Sequence, residues 1–236
     1  MKKPLIIGMA GKMGSGKDTA GNYLINEYQF QRIAFADNLK EMAMKVFNLT
    51  YQQCYDQDLK MVNFKKPIKL DRGHIFSIMN YAENINGIVT KPQNISKLFN
   101  LIENKPVFKN PRELLQYLGT EILRDCVQED YHAQVVKNVI EKNKWEKVVI
   151  TDARFPNERE AIKQWGGFNV FIDRPSATSL GIKGHASENS LGDGSEYDFC
   201  VKNYSTLDDL YKNVEEAFSN IKQLANKAPN HDLFQV

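Results

Sequence analysis

The stretch PLIIGMAGKMGSGKDT, residues 4–19, decides the fold. Its first seven residues are apolar without polar alternation, as in a central parallel strand buried on both faces. Gly11-Lys12-Met13-Gly14-Ser15-Gly16-Lys17 then follows the spacing G-x-x-x-x-G-K, and a helical pattern runs from about Lys17 to Tyr28. Glycines let a backbone wrap closely around a polyphosphate with its N–H groups turned inward. The helix behind the loop aims its positive end at the same anion, and Lys17 carries a full charge to the β- and γ-oxygens. A glycine turn that held a lysine by chance would not need a buried strand before it and a helix after it. Gly14, Ser15, Gly16, Lys17, Asp18 and Thr19 are therefore the expected cradle for a nucleotide, with ATP the expected cofactor.

One position departs from the usual loop. The residue after the lysine is commonly Ser or Thr, which holds Mg²⁺. Here Asp18 stands there and Thr19 follows, a Gly-Lys-x-Thr version that nucleoside monophosphate kinases tolerate. Asp18 is expected at the metal, directly or through water, with Thr19 turned to the phosphates.

Strands and helices alternate onward. Residues 31–36 (QRIAFA) read as a second strand. Residues 38–47 read as a helix with Leu39, Met42, Ala43, Val46 and Phe47 on one face. From 48 to 109 the pattern weakens and Pro67, Pro92 and Pro106 interrupt it; this is read as a mainly helical insertion, with 96–102 one candidate helix. Asn110-Pro111-Arg112-Glu113 then offers a capping residue, a first-turn proline and an acid three residues after the cap, opening a helix to about Cys126. A helix over 131–143, a strand over 147–151 (KVVIT), a helix over 156–165 and a strand over 168–172 follow. Gly166-Gly167 ends the third of these. Residues 174–194 form a loop, 198–201 a last strand, and Ser205 with Asp208 caps a final helix whose apolar face is Leu207, Leu210, Val214, Ala217, Phe218, Ile221 and Leu224. This is an α/β chain: a parallel sheet flanked by helices, with ligands expected at the carboxyl ends of its strands. The core is expected in 1–47 and 110–226, the insertion in 48–109 as part of the substrate-binding lobe, a closing loop in 174–194, and a frayed tail in 227–236.

The 236 residues are 42% hydrophobic and 25% charged, enough for a core without disulfides, and the net charge of +2 is too mild for a nucleic-acid surface. Cys54, Cys126 and Cys200 are far apart and odd in number, which points to a reducing compartment rather than a disulfide framework. No run reaches the roughly 18 apolar residues of a membrane span. A cytoplasmic protein without nucleic-acid or membrane partners is expected.

A phosphate loop alone does not separate a kinase from a GTPase, a motor or an ATPase. A second set of cations does. KVVIT ends in Thr151-Asp152-Ala153-Arg154. An Asp at the tip of a buried strand beside the loop is where an NTPase keeps its Mg²⁺ partner, and an Arg two residues on can reach the moving phosphoryl group. Asp152 could instead cap the next helix, and Arg154 could be a solvated loop residue. In the helix after Asn110, Arg112, Gln116, Thr120 and Arg124 recur every four residues opposite Leu114, Leu115, Leu118 and Ile122. That line suits a nucleotide's base and phosphate, or else is a solvated face. Gly119 costs about 1 kcal/mol in a helix and leaves room for a ligand. Arg174 heads a loop that also holds His185 and Glu188.

These segments resemble the deoxynucleoside monophosphate kinases of tailed bacteriophages. The matching pieces are GKMGSGKDT, FADNLKEMA, RELLQYLGTE, VVITDARFPNE, IDRPS, GHASEN and VKNYSTLDDL, in the family's order. The resemblance implies a P-loop kinase fold and transfer of the ATP γ-phosphate to a deoxynucleoside monophosphate, feeding DNA precursor synthesis. It implies Phe35, Asp37, Lys40, Arg112, Gln116 and Thr120 at the acceptor nucleotide, with Glu158 in the same set. It puts Lys17, Asp152 and Arg154 at the chemistry, and His185 and Glu188 on the closing segment. A homodimer is implied, and host cytoplasm if the chain is phage-encoded. Rival readings are a kinase of phosphomevalonate or dephospho-coenzyme A, and a regulatory or packaging-type nucleotide-binding protein.

Overall fold

The computed structural model describes residues 3–175 and 191–227. The chain begins with strand β1 (Leu5–Ala10), helix α1 (Lys17–Tyr28) and strand β2 (Gln31–Ile33). It continues through α2 (Phe35–Phe47), α3 (Tyr51–Tyr55), a 3₁₀ turn at Leu59–Met61, β3 (Ile68–Lys69), α4 (Arg72–Asn84), α5 (Pro92–Glu103) and β4 (Val107–Phe108). Next come α6 (Pro111–Tyr117), which runs on as a π-helix over Leu118–Val127, and α7 (Tyr131–Asn143). Strand β5 (Lys147–Ile150), α8 (Pro156–Gln164), β6 (Phe168–Asp173), β7 (Phe199–Lys202) and α9 (Leu207–Lys227) complete the order.

Two compact units form, Met1–Ala34 with Ile140–Val236, and Phe35–Val139. The expected boundaries at 47/48 and 109/110 are not the ones the contacts draw. Met42, Ala43 and Phe47 of α2, and Leu114, Leu118 and Ile122 from the helix after Asn110, share one core with Ile75, Ile78 and Leu98 of the supposed insertion. Buried apolar area, rather than the point where sequence periodicity weakens, sets the unit.

In the first unit five strands lie in the order β2-β5-β1-β6-β7. Every ladder is parallel; Leu5 pairs with Lys147, Ile7 with Phe168, Gln31 with Val148 and Val170 with Phe199. β1 is central and all but its first residue are buried, which explains its unbroken apolar run. Ile7 and Met9 meet Ala20 and Leu24 of α1 and Leu210, Val214, Phe218 and Ile221 of α9. On the opposite face a Cβ at Gly8 would lie 2.4 Å from Ile162 Cδ1, so glycine is what lets α8 pack so closely. The strand order reverses beside β1, the position where open parallel sheets bind ligands.

Three local expectations are corrected. β2 stops at Ile33, and Phe35 already begins α2, so Asp37 lies in a first helical turn and not at a strand tip. The last helix is capped one residue later than expected. The Thr206 hydroxyl accepts from the N–H of Asp209 (3.2 Å), and the Asp209 carboxylate accepts from the Thr206 hydroxyl (2.7 Å). Leu207 and Leu224, expected on its apolar face, are exposed.

The second unit is mainly helical. A two-stranded antiparallel pair, β3 with β4, was not foreseen in it. The Asn110 cap is as expected: its side chain accepts from the N–H of Glu113 at 3.0 Å.

Candidate active site

The phosphate loop occupies the carboxyl end of β1. Gly14 has φ +77°, and a Cβ there would meet nothing within 4 Å, so its side opens to free space. Gly16 is the N-cap of α1 with φ +92° and no side chain capping the helix. The first amides of α1 are thus left for an outside anion. The Ser15 hydroxyl is buried without a hydrogen-bond partner, a cost that a phosphate oxygen would remove. The Lys17 ammonium is 3.1 Å from both Asp18 carboxylate oxygens. Lys17 is largely covered while Asp18 is 75% exposed, so the pair is a weak tether that a polyphosphate can displace. Thr19 is half-buried in the first turn of α1.

The neighbouring strand ends complete this edge. After β5, the Thr151 N–H donates to the Ile33 carbonyl and the Ala153 N–H to the Met9 carbonyl, both at 3.1 Å. Asp152, half-buried, stands between these two anchored neighbours. It is not the cap of α8, which is Phe155, so the helix-cap alternative falls. Arg154 is half-buried. Its N–H and that of Phe155 donate to the Glu158 carboxylate at 2.9 and 3.0 Å. Its carbonyl accepts from Arg159 at 2.9 Å. After β6, exposed Arg174 donates to the Gly14 carbonyl at 3.3 Å, bringing it to the phosphate loop.

Glu158 is 4% exposed, and its Oε2 accepts both of those backbone amides, so it shapes the Arg154 loop. Arg159, which sequence reasoning passed over, is 6% exposed and also reaches the Tyr197 hydroxyl (3.3 Å) and Glu196. Asn203 was missed as well. It is 9% exposed and donates to the Ser15 carbonyl at 2.8 Å. The available signal was its place, a polar residue just past a strand that ends near the phosphate loop.

In the helical unit, Phe35 is 3% exposed. Lys40 stands 3.9 Å from Asp37 and 4.2 Å above the Tyr55 ring. Arg112, Gln116 and Arg124 are half-buried and Thr120 is exposed, so this line is not a fully solvated face. The change to π-helix at Leu118 falls in the middle of it. Wider turns rotate Thr120 and Arg124 relative to the positions that regular α spacing predicts, and such segments are frequent at functional sites. His132 is a further residue that the sequence did not flag. Its Nε2 lies 3.2 Å from the Gly119 carbonyl. Burial pushes its pKa down to about 4, with Arg124 adding to the effect and the Gly119 contact opposing it. His185 and Glu188 lie outside the described residues.

Among the described residues no three of His, Cys, Asp and Glu converge to hold a metal. Mg²⁺ does not need such a cluster, because it is usually held by one or two carboxylates together with substrate phosphates. Among the described residues no helix is long and apolar enough to cross a membrane.

A family model described as deoxynucleotide monophosphate kinase matches residues 5–214. The chain belongs to this family. A putative deoxynucleotide monophosphate kinase of Acanthamoeba polyphaga mimivirus is 28% identical over 231 residues, covering 93% of this chain and 99% of the relative. The deoxynucleoside-5'-monophosphate kinase of Escherichia phage T5 is 27% identical over 184 residues, covering 68% of this chain and 72% of its own. The family match begins at β1 and ends within α9, so it spans both units. Among solved structures, a shikimate kinase from Aquifex aeolicus vf5 aligns with 95% of this chain and 100% of its own, at TM-score 0.42 and 15% identity. That likeness is too loose to add to the sheet order and family match.

Proposed function

We propose that this chain transfers the γ-phosphate of ATP to deoxynucleoside monophosphates, giving diphosphates for DNA synthesis. The observation that carries the reading is the uncapped, glycine-lined amino end of α1 beside Asp152 and Arg154, in a chain of this family. Lys17 leaves Asp18 and meets the β- and γ-oxygens. Arg154, on its braced loop, faces charge that develops on the moving phosphoryl group. Mg²⁺, when bound at Asp18 and Asp152, would neutralise charge on the β- and γ-phosphates. The acceptor oxygen belongs to a phosphate monoester and needs no strong general base.

The Phe35–Val139 unit serves as the acceptor lobe, with Asp37, Lys40, Arg112, Gln116, Thr120 and Arg124 on the nucleotide. A homodimer in the cytoplasm, the host's if the gene is viral, goes with the family reading; light scattering of the purified chain checks the dimer.

The test is a coupled ADP-release assay with ATP, Mg²⁺ and each ribo- and deoxynucleoside monophosphate. Deoxy acceptors should exceed their ribo counterparts by at least ~10-fold in kcat/KM, which needs only about 1.4 kcal/mol of differential binding in the transition state. Stranding a buried 2′-hydroxyl costs about 1–3 kcal/mol, which is enough. Phe35 and Tyr117 are the candidate walls. Phe35 is buried, so Phe35→Ala disturbs wall and core together. Tyr117, half-buried with its ring 5.2 Å from Phe108, gives the cleaner variant. Equal rates with dGMP and GMP, and with dCMP and CMP, would defeat the deoxy reading. Activity on phosphomevalonate or dephospho-coenzyme A alone would defeat the nucleotide reading.

A further inference from the structure

We infer that Asn203 is a positioning residue that sets the phosphate loop, holding the Ser15–Gly16 peptide with its N–H turned toward the cradle. The inference rests on the loop being an ATP site and adds the device that keeps it ready. The Asn203 side-chain amide donates to the Ser15 carbonyl at 2.8 Å, in a buried contact. Its own N–H donates to the Asp173 carbonyl at 2.7 Å, which fixes Asn203 to the end of β6.

A trans peptide points its C=O and N–H in opposite directions. With the Ser15 carbonyl held by Asn203, the Gly16 N–H points away from Asn203. Gly16 is the N-cap of α1, where unpaired amides gather. A flip of that one peptide would offer a carbonyl oxygen to a polyphosphate in place of a donor. Glycine, at φ +92°, makes such a flip sterically easy, so something outside the loop has to bias it. The fit is also mutual, because a Cβ on Gly16 would stand 2.5 Å from Asn203 Nδ2. The preceding carbonyl, that of Gly14, is held by Arg174 at 3.3 Å. The loop is thus pinned through two successive carbonyls by residues that follow β6 and β7, while its backbone also bonds to itself, Ser15 N–H to the Lys12 carbonyl, at 3.0 Å.

The informative variant is N203D, which keeps the shape and replaces the donor by an oxygen facing an oxygen. ATP affinity is read by calorimetry, with N203A and the unaltered chain in parallel and thermal melts to confirm folding. At about pH 8, where a free carboxyl is ionised, N203D should bind ATP at least about tenfold more weakly, the scale set by stranding a buried acceptor. The KM for the acceptor nucleotide should stay within about twofold, since uniform loss of ATP binding does not touch it. As pH falls, protonation turns the introduced carboxyl into a donor. N203D should then approach the unaltered chain measured at the same pH, while N203A stays weak. N203D binding like the unaltered chain at the higher pH overturns the inference, and so does weak binding by both variants without recovery. If the unaltered chain binds no ATP, it is the phosphate-loop reading that fails. A measurement without any variant covers the case of misfolding: the Gly16 amide resonance should move on addition of inorganic triphosphate. A Gly16 resonance that stays still while those of Ser15 and Lys17 move would also overturn the inference.

Discussion

Arg154 is held by its own backbone before its side chain does anything. Glu158 takes its N–H and Arg159 gives to its carbonyl, two buried residues of opposite charge near the start of α8. Such bracing suits a group that acts in the transition state, where small misplacements are expensive. Arg112, half-buried in the first turn of α6, sits on ordinary helical backbone instead. Arg154→Ala should therefore lower kcat, by about 100-fold if it equals one preorganised donor, with substrate KM little changed. Arg112→Ala should mainly raise the acceptor's KM. Steady-state kinetics with both substrates varied decides this; two variants that change only KM would end the division of roles. Asp18 poses a different question, because it is exposed and pairs with Lys17 in the free protein. If it helps to hold the metal, Asp18→Ala should need several times more Mg²⁺ for half-maximal rate. An unchanged Mg²⁺ titration returns the metal to Thr19 or Asp152.

Among the elements, the π-helical run over Leu118–Val127 packs its Gly119 carbonyl against His132 of α7. His132 is kept neutral, with its pKa near 4 against an ordinary 6.5. The unfolded chain therefore takes up a proton between those values and the folded one does not. Its share of stability is fully present above about pH 6.5 and is lost as pH falls toward 4, at about 1.4 kcal/mol per unit. His132→Gln keeps a donor for Gly119 and removes the titration. Urea unfolding from about pH 7 down to about pH 5 should show the variant's stability falling less, by about 2 kcal/mol at the lower end. Parallel curves would mean that another group carries the acid sensitivity. Neither the histidine nor the π-helix could be read from the sequence. Alpha periodicity gave the right core residues in Leu114, Leu118 and Ile122, because a continuous helix was present. It could not report a change of pitch, which depends on what the helix packs against. Strand β1 and its loop were legible because one short stretch held the strand, the turn glycines and the helix start together. Asn203 was not, because it acts on a backbone atom 188 positions away in the chain, and Arg159 was not, because its partners Tyr197 and Glu196 lie 38 and 37 positions on. The backbone bonds of Glu158 were illegible for a related reason: a short pattern such as FPNE does not say which amides its acid meets.

For the molecule as a whole, nucleotide binding should appear as added stability. ATP at about 100 times its Kd contributes about 2.7 kcal/mol, and for a chain of this length each kcal/mol is worth roughly 2–4 °C. A rise of about 5–10 °C in Tm is expected with MgATP, and Lys17→Ala should remove most of it. The cradle lies in the unit built around β1. If the two units melt separately, only that unit's transition should move; no shift at all would argue against the cradle.

That same unit is made from the two ends of the described chain, and this has a consequence for its birth on the ribosome. Leu5 of β1 finds its partner at Lys147 and Ile7 at Phe168, while Phe35–Val139 is one unbroken run. The helical unit can close as soon as it leaves the exit tunnel. The first strand, apolar along its whole length, must wait unpaired until residues more than a hundred positions later have been translated. For that interval LIIGMA is a bare sticky end, the state in which nascent chains clump or recruit chaperones. Ribosome-arrested chains offer a direct view. Stalled with Val139 outside the tunnel, they should yield a protease-resistant core from Phe35 onward and a cut N-terminal segment. Resistance at the N-terminus should arrive only after β5 and β6 have emerged; earlier protection would show that the first strand has found shelter elsewhere.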